Sequence, residues 1–317
     1  MGVVEALYEN EVDCVACDKV NAITPRVKKR LDARANAVEH IAVERAQIVT
    51  ESWQQSDGEP LDIRRGKLFK AIMEKNPIAI HEDELIVGSQ SKYLIGASPC
   101  IDYNPSIAYE ALKSFADVTS DYDDTKSGAI SLEERKILKE CTDYWSGRSV
   151  SDQVLQCNRQ RFPWISDWDR AGLINGGKAG MPPGAKNVNY GWVITRGLEA
   201  IINEAKERRE QLEFWDDPKG DNEKYSFLTG VILALEGAIT FAKRHAQLAR
   251  EMAETEKNAV RKEELLRIAE VCERVPAKPA RNFYEACQSF WFTHLCENLE
   301  CSFQAESPSR IDQYLYP

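Results

Sequence analysis

The sequence is poor in several features, and each shortage narrows its chemistry. It has only four histidines, His40, His81, His245 and His294. They stand apart, and none forms H-E-x-x-H or a pair at metal-ligand spacing. No G-x-S-x-G elbow and no G-x-G-x-x-G fingerprint occurs, so the nucleophile-elbow and dinucleotide signatures are both missing. Gly172-x-x-x-x-Gly177-Lys178 falls one residue short of a P-loop. Ala179 stands where a hydroxyl would hold magnesium, and no apolar strand leads in. No run of about 18 apolar residues is seen, so no membrane-spanning helix is expected. Met1-Gly2-Val3-Val4-Glu5 lacks the basic and apolar regions of a signal peptide. Ala6 replaces the Ser or Thr that a myristoylation site needs. Basic charge is short as well: the formal net charge is −10. That argues against nucleic acid or an anionic membrane as the main partner. The nine cysteines are odd in number and scattered. With no secretion signal they read as reduced thiols in a cytoplasmic protein. Cys14 and Cys17 form a C-x-x-C, but no second pair completes a tetrahedral zinc site.

What is present is the pattern of a helix-rich globular protein. The chain of 317 residues is 43% hydrophobic and 29% charged, ordinary values for a soluble domain. Residues 1–24 show no period and read as an N-terminal arm. Thr24-Pro25 is a helix opening. Helices are expected over about 26–36, 41–55, 61–75, 105–115, 132–146, 191–214, 225–254, 262–272 and 283–299. Leu85-Ile86-Val87-Gly88 reads as a short strand. Asp121–Glu134 imitates a calcium loop with only two carboxylates at ligand positions. The competing reading is a loop running into a capping box, Ser131-x-x-Glu134. Between Ala171 and Gly191 lie six of the 17 glycines, the mark of a long functional loop. Helix 283–299 is apolar nearly all round and should be buried.

The closing stretch, Ser307-Pro308-Ser309-Arg310-Ile311-Asp312-Gln313-Tyr314-Leu315-Tyr316-Pro317, is aromatic-rich. Read as a strand, it would point Arg310 and Asp312 the same way, as a buried ion pair fixing that strand or a support for a pocket wall. This stretch resembles the S/T-P-x-R-x-D-Q-x-L-x-P signature of glycyl radical enzymes, the pyruvate formate-lyase superfamily. Glu44–Ser52, Arg64–Ile72, Glu84–Gly88 and the Phe-Tyr-Glu-Ala-Cys-Gln run from Phe283 are similar to that family in the same order. The resemblance spans about Ile23 to Pro317. It implies a helix-rich α/β fold, with residues 25–317 forming the N-terminal part of a ten-stranded α/β barrel. It also implies that the chain stops before the catalytic cysteine and the radical glycine, leaving it inactive alone.

In that family a thiyl radical abstracts hydrogen from a small-molecule substrate. The glycyl radical that feeds it is installed by an S-adenosylmethionine/iron–sulfur activating enzyme, and the enzyme is a homodimer. No cofactor is expected to be bound here. None of the cysteines matches the active-site motif, and Cys287, Cys296 and Cys301 read as small hydrophobes of a buried helix. The resemblance assigns pocket positions to Ala185, Lys186 and Asn187, and to Gln304, Ala305 and Glu306. Related dehydratases have Gly-His or Gly-Asp where this chain has Gly184-Ala185. The glycerol-type enzymes have His-Ser where it has Gln304-Ala305. These departures favour a carbon–carbon lyase or decarboxylase acting on a small carboxylic acid held by Lys186. The alternatives are another eliminating lyase, such as a dehydratase, or a non-catalytic interaction protein that keeps half of this fold.

Overall fold

The computed structural model describes residues 23–106, 108–109, 112, 130–174, 185–186, 188–301, 305–308 and 310–315. Thr24 opens the first helix, accepting a hydrogen bond at its hydroxyl from the Val27 amide, with Pro25 as first helical residue. This helix, α1 (Pro25–Ala35), buries no residue. Ion pairs tie it down instead: Arg26 to Glu264, Lys29 to Glu82 and Asp83, and Arg30 to Glu84. β1 (Glu39–Ile41), α2 (Glu44–Gln55) and α3 (Leu61–Lys75) follow. β2 (Ile95–Ala97) pairs in parallel with β1. Then come α4 (Leu132–Trp145), α5 (Val150–Arg161), α6 (Ile165–Arg170) and β3 (Ala185–Lys186). The rest is α7 (Tyr190–Arg196), α8 (Leu198–Glu210), α9 (Pro218–Thr255), α10 (Ala259–Arg274), α11 (Phe283–Glu300), β4 (Ala305–Glu306) and α12 (Ile311–Leu315).

The core lies where α3, α8, α9 and α10 pack, with α2 and α11 closing it. Leu68, Ile72 and Met73 of α3 are fully buried, as are Phe241, Ala246 and Ala249 of α9 and Phe292 of α11. Each large apolar side chain so buried contributes about 1.5–3 kcal/mol. By length and composition α9 could cross a membrane, a span that the sequence reading had not found. Here its apolar stripe packs on α3, α8 and α10. The 38-residue helix also begins earlier than its stripe predicts. Asp217 caps it by accepting from the Gly220 amide at 3.0 Å, and Pro218 is its first residue.

α3 and α9 cross almost backbone to backbone. A Cβ on Gly230 would lie 2.4 Å from the Asp62 carbonyl oxygen, and one on Gly66 would lie 2.6 Å from the Gly230 carbonyl oxygen. Gly230→Ala should therefore destabilise the chain by about 2 kcal/mol through overpacking. A urea titration checks this, and an unchanged midpoint would show that the crossing can open freely.

Two expected elements are corrected. Leu85–Gly88 forms no strand. Its backbone finds partners on a helix instead of a neighbouring strand. The Val87 amide donates to Gln288 Oε1 and Gln288 Nε2 donates to the Val87 carbonyl, both at 2.9 Å. Trp291 Nε1 donates to the Gly88 carbonyl at 3.0 Å. The helix expected over 191–214 is two helices, broken at Gly197, which sits at φ 76° and ψ 158°. There the Leu198 and Glu199 amides leave the helix to donate to the Pro276 and Ala277 carbonyls, each at 2.9 Å. A side chain would not fit, since a Cβ would lie 2.5 Å from the Ala277 carbonyl oxygen.

The capping box is present, with Ser131 and Glu134 exchanging hydrogen bonds across the first turn of α4. The calcium-like positions before it, the C-x-x-C at Cys14 and Cys17, and most of the glycine-rich segment lie outside the described residues.

Candidate functional site

The two segments assigned to a pocket are 120 positions apart in sequence and adjacent in space. β3 and β4 run in parallel, with Ala185 opposite Ala305 and Lys186 opposite Glu306. A lysine and a glutamate thus stand at one level of neighbouring strands. Two alanines stand at the level before. Asn187 and Gln304 lie outside the described residues.

β3 leads directly into α7, and that junction is well anchored. Asn189 caps the helix by accepting from the Trp192 amide at 3.1 Å. Tyr190 is fully buried, lies tilted against Phe290 at 4.6 Å between centroids, and brings its hydroxyl 3.3 Å from His294 Nδ1. His294 also stacks on Trp291 and Phe290, and burial pulls its pKa below the ordinary value. It is a half-buried packing residue joined to the β3–α7 junction.

β4 leads to α12, where the reading of Arg310 and Asp312 is corrected. They do not lie on a strand. The Gln313 and Tyr314 amides donate to the Arg310 carbonyl at 2.9 and 3.0 Å, closing a helical turn that starts at Ile311. Residues two apart on a helix do not face each other. Arg310 and Asp312 are both exposed, and no ion pair joins them among the described residues. The apolar residues do the anchoring: Tyr314 and Leu315 pack with Tyr190, Ile194 and Ala286 in one cluster. The Tyr314 ring lies so close to α7 that a Cβ on Gly191 would be 3.0 Å from it.

The C-terminal end of α11 is held by a buried charge network that sequence reasoning missed. Arg45 is 1% exposed. Its Nε donates to the Leu299 carbonyl at 2.7 Å and its Nη2 to the Glu300 carbonyl at 2.5 Å. These are orphan acceptors at the C-terminal end of α11, where a cation also complements the helix dipole. Arg45 Nη1 pairs with Asp102 at 2.9 Å. Arg65 bridges the other Asp102 oxygen at 3.2 Å, donates to the Tyr103 hydroxyl at 2.6 Å, and pairs with Glu300. Tyr103 donates its own hydroxyl proton to Glu300 at 2.5 Å. Burial is the largest influence on Arg45 and opposes its charge, but Asp102, Cys100 and Glu300 together outweigh it and hold the guanidinium above its ordinary value. Burial likewise raises the Tyr103 phenol, with Glu300 adding to the effect and Arg65 opposing it. The available signal was a lone arginine among the apolar residues Ala42, Val43, Ala46, Ile48 and Val49, all of them buried.

Two cysteines near this site are packed away from solvent. Cys296 and Cys301 are buried. Burial pushes the Cys296 thiol up to about 12, and its Sγ lies 3.5 Å from Met73 Sδ. Such a thiol forms no thiolate near neutral pH. The pairing of β3 with β4 brings the backbones of the expected pocket positions together.

A model of the pyruvate formate lyase-like family matches residues 18–317. The isethionate sulfite-lyase of Desulfovibrio desulfuricans is 32% identical over 314 residues, which is 95% of this chain and 36% of that enzyme. A solved structure concerning 1,2-propanediol dehydration in Roseburia inulinivorans superposes with TM-score 0.83 at 32% identity, covering 93% of this chain and 36% of that one. A glycyl radical enzyme of Archaeoglobus fulgidus superposes with TM-score 0.79 at 30% identity, covering 92% and 36%. The chain thus spans about a third of the length of each of these proteins. The family model, the sequence identity and the shared backbone agree over nearly the whole chain, and the chain belongs to the pyruvate formate lyase-like family, the glycyl radical enzymes.

Proposed function

We propose that this chain is part of a longer glycyl radical lyase that eliminates a group from a small anionic substrate. The carrying observation is the register of β3 on β4, which sets Lys186 beside Glu306 and Ala185 beside Ala305. A hydroxide leaving group must be protonated as it departs, and a positioned acid assists that step. Neither alanine can transfer a proton. A weakly basic leaving group such as sulfite departs without one, and the name of the Desulfovibrio relative describes such a reaction. Lys186 would hold the substrate's carboxylate or sulfonate, as a point charge with three donors. The radical supplies hydrogen abstraction, and its glycine and cysteine would come from the part of the longer protein outside this chain. An S-adenosylmethionine/iron–sulfur activating enzyme would install it in a cytoplasmic homodimer. Carbon–carbon cleavage of a small carboxylic acid is the second reading. Ala185 and Lys186 suit it equally, because carbon dioxide also leaves without a proton.

The test is anaerobic activation of the longer protein and a panel of hydroxysulfonates, carboxylic acids, glycerol and propane-1,2-diol. Consumption of an anionic substrate is expected. Lys186→Met should raise KM about 10–100-fold, the worth of one charged hydrogen bond. Turnover of a diol with no acid or sulfonate consumed would overturn the proposal. Release of carbon dioxide in place of the leaving anion would select the second reading.

A further inference from the structure

One large feature is unused by this reading. A groove of about 430 Å³ runs between α3, α7, α9 and α11. Its walls are Phe69, Val193, Phe227, Val231 and Leu235, and the Gly66–Gly230 crossing lies at its base. Protein interiors keep few voids larger than one water, and an apolar surface holds ordered water poorly. Such a groove leaves contiguous apolar surface in contact with solvent, which marks an interaction site. It is open along one side, where Phe227 is 57% exposed, whereas small-ligand sites enclose most of their ligand. At one end of its border stands the exposed carboxylate of Asp62, while Glu300 is taken up by Arg65 and Tyr103. Arg65 is already engaged by Asp102, Tyr103 and Glu300. The groove also adjoins α7, through Val193, and α7 is the helix on which α12 is seated.

We propose that the groove receives an amphipathic helix from the part of the longer protein outside this chain, with a lysine or arginine at one end of its apolar stripe. This rests on the reading of the chain as about a third of a longer enzyme, since its relatives are matched over 36% of their length. The apolar walls take the stripe, and Asp62 at the border sets the direction of the helix by charge complementarity. Ala234 on the wall is half-exposed, so a larger side chain there would enter the space that the helix needs.

The experiment compares this chain with the longer protein by hydroxyl-radical footprinting and thermal melting, without reference to turnover. Phe227 is expected to be oxidised several-fold more slowly in the longer protein than in this chain. Ala234→Trp should leave the melting temperature of this chain unchanged or raised, because the indole fills open space. It should lower the melting temperature of the longer protein and restore oxidation of Phe227 there. Asp62→Lys should lower the melting temperature of the longer protein by more than it lowers that of this chain, and added salt should shrink the difference. Equal oxidation of Phe227 in both proteins, or Ala234→Trp acting alike in both, overturns the proposal. Either result leaves the lyase reading standing, because that reading is judged by substrate consumption alone.

Discussion

Replacing Arg45 by methionine is expected to destabilise the chain by about 3–5 kcal/mol, the cost of breaking a buried pair and stranding its partner. Methionine keeps most of the apolar stem and removes only the guanidinium. Asp102, 2% exposed, would keep Arg65 at 3.2 Å but lose its closer partner. The Leu299 and Glu300 carbonyls would lose the donors that now satisfy them. A urea titration reads the loss. Hydrogen exchange reads where it falls: amides at the C-terminal end of α11 should exchange faster, while those in the middle of α9 keep their protection relative to the global opening. The double variant Arg45→Met with Asp102→Leu should recover only part of the stability, since the two carbonyls stay unsatisfied. A loss below about 1 kcal/mol for the single variant would place the pair among the weak ones and remove it as the anchor of the end of α11.

Acid should weaken the fold through His245, by about 2 kcal/mol between pH 7 and pH 5. His245 is fully buried, edge-on to Phe241 and tilted against Phe292. Its Nδ1 lies 2.9 Å from the Phe241 carbonyl, which fixes the proton on that nitrogen in the neutral ring. Burial lowers its pKa to about 4; the Phe241 carbonyl opposes the shift and Arg244 adds to it. The folded value thus lies below the unfolded value of about 6.5. Above pH 6.5 both states are neutral here and stability is fully present. As pH falls from 6.5 through 4, the unfolded chain takes up a proton that the folded chain refuses, and stability falls. Below pH 4 both states are protonated, and the total loss from this group is about 3 kcal/mol. His245→Leu removes the titration while suiting the apolar surroundings. Its unfolding free energy should change with pH less steeply than the parent's between pH 7 and 5. Parallel curves for the two proteins would show that the ring finds water or a partner when protonated.

The candidate site was legible in part, and the limit has a physical cause. Lys186 and Glu306 could be named only through the resemblance to glycyl radical enzymes. That they stand in register is a pairing across 120 positions, which no local pattern encodes. Arg45 and Arg65 were visible within resembling stretches, but their partners come from two distant segments, the adjacent pair Asp102 and Tyr103, and Glu300. Arg310 and Asp312 were misread because a strand's period of two was applied to a segment that folds as a helix. Ile311, Tyr314 and Leu315, at i, i+3 and i+4, carried the correct signal.

By itself the sequence determined the helices whose apolar period and caps coincide. Leu61–Lys75 forms over its predicted span, Ser131 with Glu134 starts α4, and the apolar stretch from Phe283 forms α11. These depend on neighbours three or four residues away, so the local chain suffices. Tertiary structure decided the rest. Only a contact with Pro276 and Ala277 breaks the helix at Gly197, because the apolar period runs through the break unchanged. The Gln288 carboxamide and the Trp291 indole turn the strand-like Leu85–Gly88 into a segment pinned on a helix. Only the parallel pairing of β3 with β4 brings Ala185 and Lys186 beside Ala305 and Glu306. Each of these uses backbone groups whose partners lie far away along the chain, and the need to satisfy them is met by whatever the packed helices present.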